Sequence, residues 1–189
     1  MVNLMSAPGS GKTTLLSRLI RDMPEIKTAV MEADIASAVD AERIEALGAK
    51  AVQVHTDGMC HMDAGMTRAS LEALDDGGAQ LIFLENVGNL ICPAEYDTGA
   101  GLDMMILSVP EGDDKPLKYP LMFTVSDVML INKIDTAPIF DFDIEAASER
   151  ARALNPDIRI FPVSAESGEG FDALAAWIAA FVRERRDCS

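Results

Sequence analysis

A glycine-rich segment near the start of the chain combines the residue types that bind phosphate groups. It reads Ser6-Ala7-Pro8-Gly9-Ser10-Gly11-Lys12-Thr13-Thr14 and lies between an apolar run and an amphipathic run. Glycine lets the backbone curve around an anion with its N–H groups pointing inward, and the N-terminus of a following helix adds partial positive charge. Lys12 can reach the β- and γ-phosphates, and Thr13 can ligate Mg²⁺. The pattern predicts a nucleotide-binding P-loop, with Ser6 where a glycine is usual, rather than a βα turn with a chance lysine. The residues expected to bind the phosphates are Gly9, Ser10, Gly11, Lys12, Thr13 and Thr14.

A second motif has the chemistry to select guanine. Asn132-Lys133-Ile134-Asp135 follows an apolar run 120 positions after Lys12 and has the N-K-x-D pattern of GTP-binding proteins. An ionised Asp135 carboxylate only accepts hydrogen bonds, and guanine offers it two adjacent N–H donors, whereas adenine presents a lone pair there. Ser164-Ala165 ends the last predicted strand and matches a loop that supports the base. These residues are predicted to bind GTP or GDP, and a solvated loop is the alternative: Asn132, Lys133, Asp135, Ser164 and Ala165.

Carboxylates at the ends of two other apolar runs could serve Mg²⁺ and the attacking water. Glu85 begins the segment Glu85-Asn86-Val87-Gly88 and can hold Mg²⁺ directly or through water, while the Gly88 N–H can reach the γ-phosphate. Asp34 is expected to orient the water or to join Thr13 and Glu85 around Mg²⁺. Asp40 competes for the water-orienting role, and a helix N-cap is the alternative for both aspartates. The predicted catalytic residues are Lys12, Asp34, Asp40 and Glu85.

Two cysteines and a histidine could bind a transition metal. Cys60 and His61 are adjacent, and Cys92 follows the Glu85–Gly88 segment. In a parallel sheet both loops open at the same edge, where two thiolates and an imidazole would suit Zn²⁺ or Ni²⁺ and reject Mg²⁺. Three ligands leave one tetrahedral position open, which a two-fold dimer could close by pairing two sets. The alternative is that the cysteines are small buried apolar residues. His55 is expected to be structural, and Cys188 to lie outside any site.

The composition narrows the class of protein. The chain has 189 residues, 49% of them hydrophobic, and a net charge of −15. That charge argues against binding nucleic acid or anionic membranes, which requires clustered Lys and Arg. Three cysteines make no disulfide framework, which favours a reducing, cytoplasmic location. Neither a signal peptide nor an apolar run of about 18 residues is recognisable.

Apolar strand-like runs alternate with helical patterns, which is typical of a parallel α/β sheet. The predicted strands are Val2–Ser6, Thr28–Glu32, Ala51–His55, Leu81–Glu85, Met104–Val109, Val128–Asn132 and Ile158–Val163. The predicted helices are Thr13–Asp22, Asp40–Leu47, Asp63–Leu74, Ile144–Leu154 and Gly170–Arg185. We therefore expect a P-loop NTPase fold, a mostly parallel sheet with helices on both faces, in one GTP-binding domain over residues 1–189. Residues 111–120 are predicted to form a charged loop.

The motifs together resemble those of the HypB family, the nickel-incorporation GTPases of [NiFe]-hydrogenase maturation. The resemblance extends almost end to end. It rests on Ser6–Thr14, Asp34-Ile35-Ala36 with Asp40-Ala41, Cys60-His61-Met62-Asp63-Ala64, Glu85–Asn89 with Cys92-Pro93, Glu111–Pro120 and Asn132–Asp135. It implies a homodimer that hydrolyses GTP to GDP, with Cys60, His61 and Cys92 as metal ligands at the dimer interface. Lys115 or Lys118 is then expected to act near the nucleotide across the dimer.

The resemblance also implies partners and leaves alternatives. The implied partners are a metallochaperone resembling HypA and a hydrogenase large-subunit precursor, and the implied cargo is Ni²⁺ or Zn²⁺. Members of the family usually carry an N-terminal extension, often with its own cysteine or histidine metal motif, and we expect this extension to be absent here. The motifs contain no evident arginine finger, so we expect slow intrinsic GTP turnover. The urease-accessory GTPase UreG is one alternative, although its Cys-Pro-His motif differs from the adjacent Cys60 and His61. A structural-zinc dimerisation module that binds GTP is the other.

Overall fold

Seven strands form one sheet in which every neighbouring pair is parallel. The computed structural model describes residues 1–33, 38–56, 58–74 and 77–187. The strands are β1 (Val2–Ser6), β2 (Thr28–Glu32), β3 (Lys50–Gln53), β4 (Leu81–Glu85), β5 (Leu102–Ser108), β6 (Val128–Asn132) and β7 (Arg159–Pro162). Their order across the sheet is β3-β2-β4-β1-β5-β6-β7. The chain builds β2 and β3 on one side of β1 and later adds β5, β6 and β7 on its other side. Open parallel sheets bind ligands in the crevice at the point where the direction of strand addition reverses.

Helices occupy the connections between the strands. They are α1 (Lys12–Asp22), α2 (Ala38–Glu45), α3 (Ala64–Ala73), α4 (Cys92–Glu95), α5 (Lys115–Lys118), α6 (Pro120–Val125), α7 (Ala137–Phe140), α8 (Ile144–Leu154) and α9 (Phe171–Asp187). Short 3₁₀ turns cover Val109–Glu111 and Ile134–Thr136. No helix in the described part of the chain has both the length and the apolar character that a membrane crossing requires. The parallel α/β fold predicted from the alternation of elements is confirmed.

The prediction of a charged loop over residues 111–120 is wrong. The segment contains the end of one 3₁₀ turn, all of α5 and the first residue of α6. Proline lies in the first turn of α5 and of α6, where its missing N–H costs nothing. Glu111 completes a capping box with Ser108. These helices have four and six residues, too few to show the 3.6-residue period on which the prediction relied.

Several predicted element ends differ from the observed ones by one or two residues. The structure ends β3 at Gln53 instead of His55 and starts α2 at Ala38 instead of Asp40. Asp63 and Leu74, predicted as the ends of a helix, are the N-cap and C-cap of α3. Capping residues share the helix's sequence signal without having its backbone geometry, so the pattern extends one residue too far at each end.

Apolar side chains cover both faces of the sheet. In β5, Met104 and Ile106 belong to the core beneath α1 and α9, whereas Met105 and Leu107 belong to the core beneath α6 and α8. A third cluster contains Met31, Met62 and Leu84. Burial on both faces accounts for the continuously apolar strands, and it leaves the strand ends as the place where polar chemistry can occur.

Candidate functional site

The loop between β1 and α1 requires glycine at two positions. Gly9 has φ 73°, and Gly11, the N-cap of α1, has φ 95°. A Cβ atom on Gly11 would lie 2.9 Å from the Asn132 side-chain nitrogen. Gly11 is therefore needed for its backbone angle and for the close approach of the neighbouring loop.

Ser6 lies inside this loop and is fully buried. Its hydroxyl oxygen accepts hydrogen bonds from Ser10 Oγ at 2.6 Å and Lys12 Nζ at 3.2 Å. The same hydroxyl donates a hydrogen bond to the Ala7 carbonyl. A serine in place of the usual glycine thus fits the loop. Its hydroxyl also holds the Lys12 ammonium close to the loop backbone.

The two predicted magnesium ligands that the structure describes are in contact. Thr13 Oγ1 donates a hydrogen bond to Glu85 Oε1 at 3.1 Å, across 72 positions of sequence. Glu85 is almost fully buried at the end of β4, and its register partner in β2 is the fully buried Glu32. A hydroxyl and a carboxylate are hard oxygen donors of the kind Mg²⁺ prefers. Glu32 is not among the residues predicted from the sequence, although a carboxylate at the end of an apolar strand is a recognisable signal.

The structure does not describe the side chains of Asp34 and Asp40, the two carboxylates predicted to orient the attacking water. Asp34 lies outside the described residues. Asp40 lies within α2, and its side chain is likewise outside what the structure describes.

The guanine motif contacts the phosphate loop directly. Asn132 Nδ2 donates to the Ser10 carbonyl at 2.9 Å, and Asn132 Oδ1 accepts from Ala165 N at 3.2 Å. Lys133, whose φ of 64° is left-handed, donates from Nζ to the Gly9 carbonyl at 2.8 Å. Asn132 and Lys133 therefore connect the loop that follows β6 to the phosphate loop and to the loop that contains Ala165. The tetrapeptide sequence alone does not predict these contacts.

A cavity of about 240 Å³ lies between these loops. Its lining residues are Gly11, Thr14, Asn132, Lys133, Asp135, Thr136, Ser164, Ala165 and Glu166. The exposed Asp135 carboxylate can accept two hydrogen bonds from a purine edge held there. A larger cavity of about 670 Å³ lies beside Trp177 and Arg159, but none of the predicted site residues lines it.

The two cysteines predicted to bind metal meet at the carboxyl end of the sheet. Cys60 Sγ lies 2.7 Å from Sγ of Cys92, the first residue of α4. Their hydrogen bond is the main cause that raises the pKa of the Cys92 thiol, so a metal ion must displace a proton from this pair. Cys60 is exposed and Cys92 half-buried, which keeps both sulfurs accessible.

The third predicted ligand lies close to the thiols but does not complete a set with them. His61 Nδ1 is 3.9 Å from Cys60 Sγ, and the imidazole is buried and stacked on Tyr96. Among the described residues, no three side chains of the ligand types form a group that could hold a metal ion. His55 is exposed beyond β3, and Cys188 lies outside the described residues.

The lysines of the 111–120 segment have partners within the segment. Lys118 forms an ion pair with Asp114 at 2.5 Å, which holds the pKa of that carboxyl below its usual value. The Lys115 ammonium lies over the Tyr119 ring. Asp113 forms an ion pair with Arg150 of α8 at 2.6 Å, which fastens the segment to the protein body.

Asn86 joins the predicted magnesium site to the predicted metal loop, and the sequence reasoning gave it no role. It follows Glu85 and is fully buried. Its Oδ1 accepts hydrogen bonds from Met62 N at 3.2 Å and Val87 N at 2.9 Å, and its Nδ2 donates to Asn3 Oδ1 at 3.0 Å. Met62 directly follows His61, so one side chain fastens the loop with the predicted metal ligands to the end of β4. Gly88, predicted to reach the γ-phosphate, lies two positions further along and is half-buried.

Comparison with known proteins finds relatives that match most of the chain. The model of the CobW/HypB/UreG nucleotide-binding domain matches residues 1–162. The hydrogenase maturation factor HypB of Azotobacter vinelandii is 51% identical over 179 residues, which are 94% of this chain and 59% of that protein. The hydrogenase/urease maturation factor HypB of Helicobacter pylori is 40% identical over 176 residues, which are 91% of this chain and 72% of that protein.

A solved structure agrees with these matches. The crystal structure of HypB from Helicobacter pylori in complex with nickel superimposes with a TM-score of 0.91 at 38% identity, covering 97% of this chain and 87% of that one. The chain spans about three fifths of the length of its Azotobacter relative. The family match, the identities and the superposition together mean that this chain belongs to the HypB family of the CobW/HypB/UreG nucleotide-binding domains.

Proposed function

We propose that this chain is a GTP-hydrolysing nickel carrier that serves [NiFe]-hydrogenase maturation in the reducing cytoplasm. The observation that carries the proposal is the segment from Glu85 to Cys92. At one end the Glu85 carboxylate contacts Thr13 of the phosphate loop, and seven positions later Cys92 contacts Cys60. A change at the nucleotide therefore needs only a short stretch of chain to reach the thiols.

Hydrolysis proceeds by in-line attack of water on the γ-phosphate. The N–H groups of the phosphate loop and the Lys12 ammonium stabilise the charge that develops on the phosphate oxygens. Thr13 and Glu85 are the residues that would hold Mg²⁺, which supplies further positive charge at the β- and γ-phosphates. Asp34 or Asp40 orients the water. Asp135 gives the site its preference for guanine.

Intrinsic turnover is slow in this proposal. The segments Ser6–Thr14, Glu85–Gly88 and Asn132–Asp135 contain no arginine. An arginine that reaches the transferring phosphate accelerates GTP hydrolysis by about 10³- to 10⁵-fold. The single-turnover rate of the purified protein with GTP measures this directly, and a rate typical of activated GTPases would contradict it.

Coupling between nucleotide and metal runs through Asn86. Loss of the γ-phosphate changes what Glu85 and Gly88 contact, and the buried Asn86 side chain lies between them and the Met62 N–H. Because His61 precedes Met62, movement at the end of β4 reaches the metal loop through one hydrogen bond. An element that prefers different positions in the two nucleotide states is what coupled binding requires.

A homodimer completes the metal site. Apolar residues that are about half exposed lie next to the thiols along the chain: Met59 (50%) precedes Cys60, Ile91 (55%) precedes Cys92, and Tyr96 (45%) ends the same short helix. We call these three residues and the two cysteines the thiol surface. Pairing two thiol surfaces about a two-fold axis buries the apolar side chains and brings together four sulfurs and two His61 imidazoles, from which a tetrahedral or square-planar ion can take its four ligands.

The cargo and partners follow from family membership. The relative from Helicobacter pylori was solved with nickel, and thiolate with imidazole ligands suits Ni²⁺ or Zn²⁺ here. We propose that a metallochaperone resembling HypA and a hydrogenase large-subunit precursor exchange metal with this chain. The urease route is a second candidate because a relative 40% identical is a hydrogenase/urease maturation factor.

The test compares nickel affinity and molecular mass in solution with GDP and with a non-hydrolysable GTP analogue. We expect a tighter nickel complex of the dimer in one nucleotide state, and loss of nickel binding in Cys60→Ser and Cys92→Ser. Cys188→Ser is the matched control, since it removes the chain's third cysteine. Nickel binding that survives Cys92→Ser would refute the metal site.

Metal release distinguishes a carrier from a structural-zinc module. A carrier loses its metal to an acceptor chelator faster after GTP hydrolysis than before it. Metal that stays bound at the same rate in both states, in a protein whose dimer depends on it, would support the structural module.

A further inference from the structure

Tyr96 covers one face of the predicted imidazole ligand. The Tyr96 and His61 rings are stacked with centroids 3.6 Å apart and planes within 10° of parallel. His61 is 3% exposed, while Tyr96 is 45% exposed. The lone pair that binds a metal lies in the plane of the imidazole ring, so stacking on its face restricts rotation and leaves its edge nitrogens able to coordinate.

The element that carries Tyr96 also carries a thiol. Cys92 is the first residue of α4 and Tyr96 is its C-cap, so one helical turn holds both. The start of α4 is fastened by Asn89, whose Oδ1 accepts hydrogen bonds from Ile91 N at 2.8 Å and Cys92 N at 3.4 Å. The turn thus sets the position of the Cys92 sulfur and the plane of the His61 ring at the same time.

We infer that Tyr96 is a positioning residue that presents the His61 imidazole, edge first, to a metal ion held by Cys60 and Cys92. This inference rests on the proposed metal site. The Nδ1 edge of His61 already lies 3.9 Å from Cys60 Sγ. Residues that orient a metal ligand without touching the metal commonly contribute about 10- to 100-fold to its affinity, because a free ligand must be ordered when it binds.

The test uses Tyr96→Leu and the conservative Tyr96→Phe. We expect Tyr96→Leu to weaken nickel binding by about 10-fold or more, measured by competition with a chromophoric chelator, and Tyr96→Phe to stay near wild type because it keeps the ring. Phe181→Leu is the matched control, since Phe181 is a partly buried aromatic ring beside the 670 Å³ cavity, which no predicted site residue lines.

Proton NMR of the metal-free protein detects the stacking of Tyr96 on His61 directly. The chain has two histidines, and the exposed His55 serves as a reference in the same spectrum. The ring current of Tyr96 shifts the His61 carbon-bound protons upfield, and Tyr96→Leu abolishes that shift while Tyr96→Phe retains it. A purely structural role would lower the melting temperature of Tyr96→Leu without changing nickel affinity.

The outcomes separate this inference from the function on which it rests. Wild-type nickel binding that does not depend on Cys60 and Cys92 would overturn the proposed site and this inference with it. Wild-type binding that depends on both cysteines, together with unchanged affinity in Tyr96→Leu, would overturn the role of Tyr96 alone. Loss of affinity in Tyr96→Leu, with recovery in Tyr96→Phe, supports it.

Discussion

Replacing Asn86 with alanine should disconnect the nucleotide site from the metal loop. The substitution removes the acceptor for the Met62 and Val87 N–H groups and the donor to Asn3 Oδ1; Met62 and Asn3 are buried, and Val87 is half-buried. A buried polar group left without a partner costs about 1–3 kcal/mol. We therefore expect the free energy of unfolding to fall by about 3 kcal/mol. For a chain of this size the melting temperature should fall by about 6–12 °C.

Asn86→Ala should also abolish the effect of the nucleotide on nickel affinity, which a loss of stability alone does not do. Coupled sites typically change each other's affinity by about 5- to 150-fold. In Asn86→Ala we expect the ratio of nickel affinities in the GDP and GTP-analogue states to approach one, while each nucleotide still binds. Isothermal titration with nickel in the two states, well below the melting temperature, measures that ratio.

Asn155 offers a matched control for Asn86. Its side chain also makes three hydrogen bonds, donating to the Ser126 and Thr124 carbonyls and accepting from Asp157 N. It borders the 670 Å³ cavity, which contains no predicted site residue. Asn155→Ala should lower stability and leave the nickel ratio unchanged. A wild-type ratio in Asn86→Ala would refute the coupling route.

Three further substitutions test the nucleotide loop, base recognition and an internal carboxylate. Gly11→Ala should lose about 1–2 kcal/mol from its left-handed backbone. It should lose more from the Cβ contact with Asn132, whereas Gly48→Ala, with φ 85° and open space, should lose only the backbone part; chemical denaturation compares them. Asp135→Asn should weaken GDP binding by about 100-fold or more, because an amide cannot accept two N–H donors as a carboxylate does; titration with fluorescent GDP measures this. Burial raises the pKa of Asp103, so its charged form opposes folding. Asp103→Asn should therefore raise the melting temperature at pH 7, and the difference from wild type should vanish as falling pH protonates Asp103 in both folded and unfolded chains; an increase that persists at low pH would contradict this.

Chemistry that depends on consecutive residues was predictable from the sequence. The phosphate loop requires glycines, a lysine and a threonine within nine positions, and the strand and helix that flank it have clear apolar patterns. Strand and helix alternation likewise predicted a parallel sheet, and β1, β2, β4 and β6 have the predicted bounds. The helices of four to six residues were missed because they are shorter than two turns.

The tertiary structure decided which distant residues meet. Thr13 contacts Glu85 across 72 positions, Asn132 contacts Ser10 across 122, and Cys60 contacts Cys92 across 32. These contacts depend on strand order and register, which a single sequence does not specify because many pairings bury the same apolar residues. The roles proposed for Asn86 and Tyr96 depend on such contacts. Their residue types are ordinary, and both proposals rest on what the folded chain places beside them: Met62 N and Asn3 beside Asn86, and the His61 ring beside Tyr96.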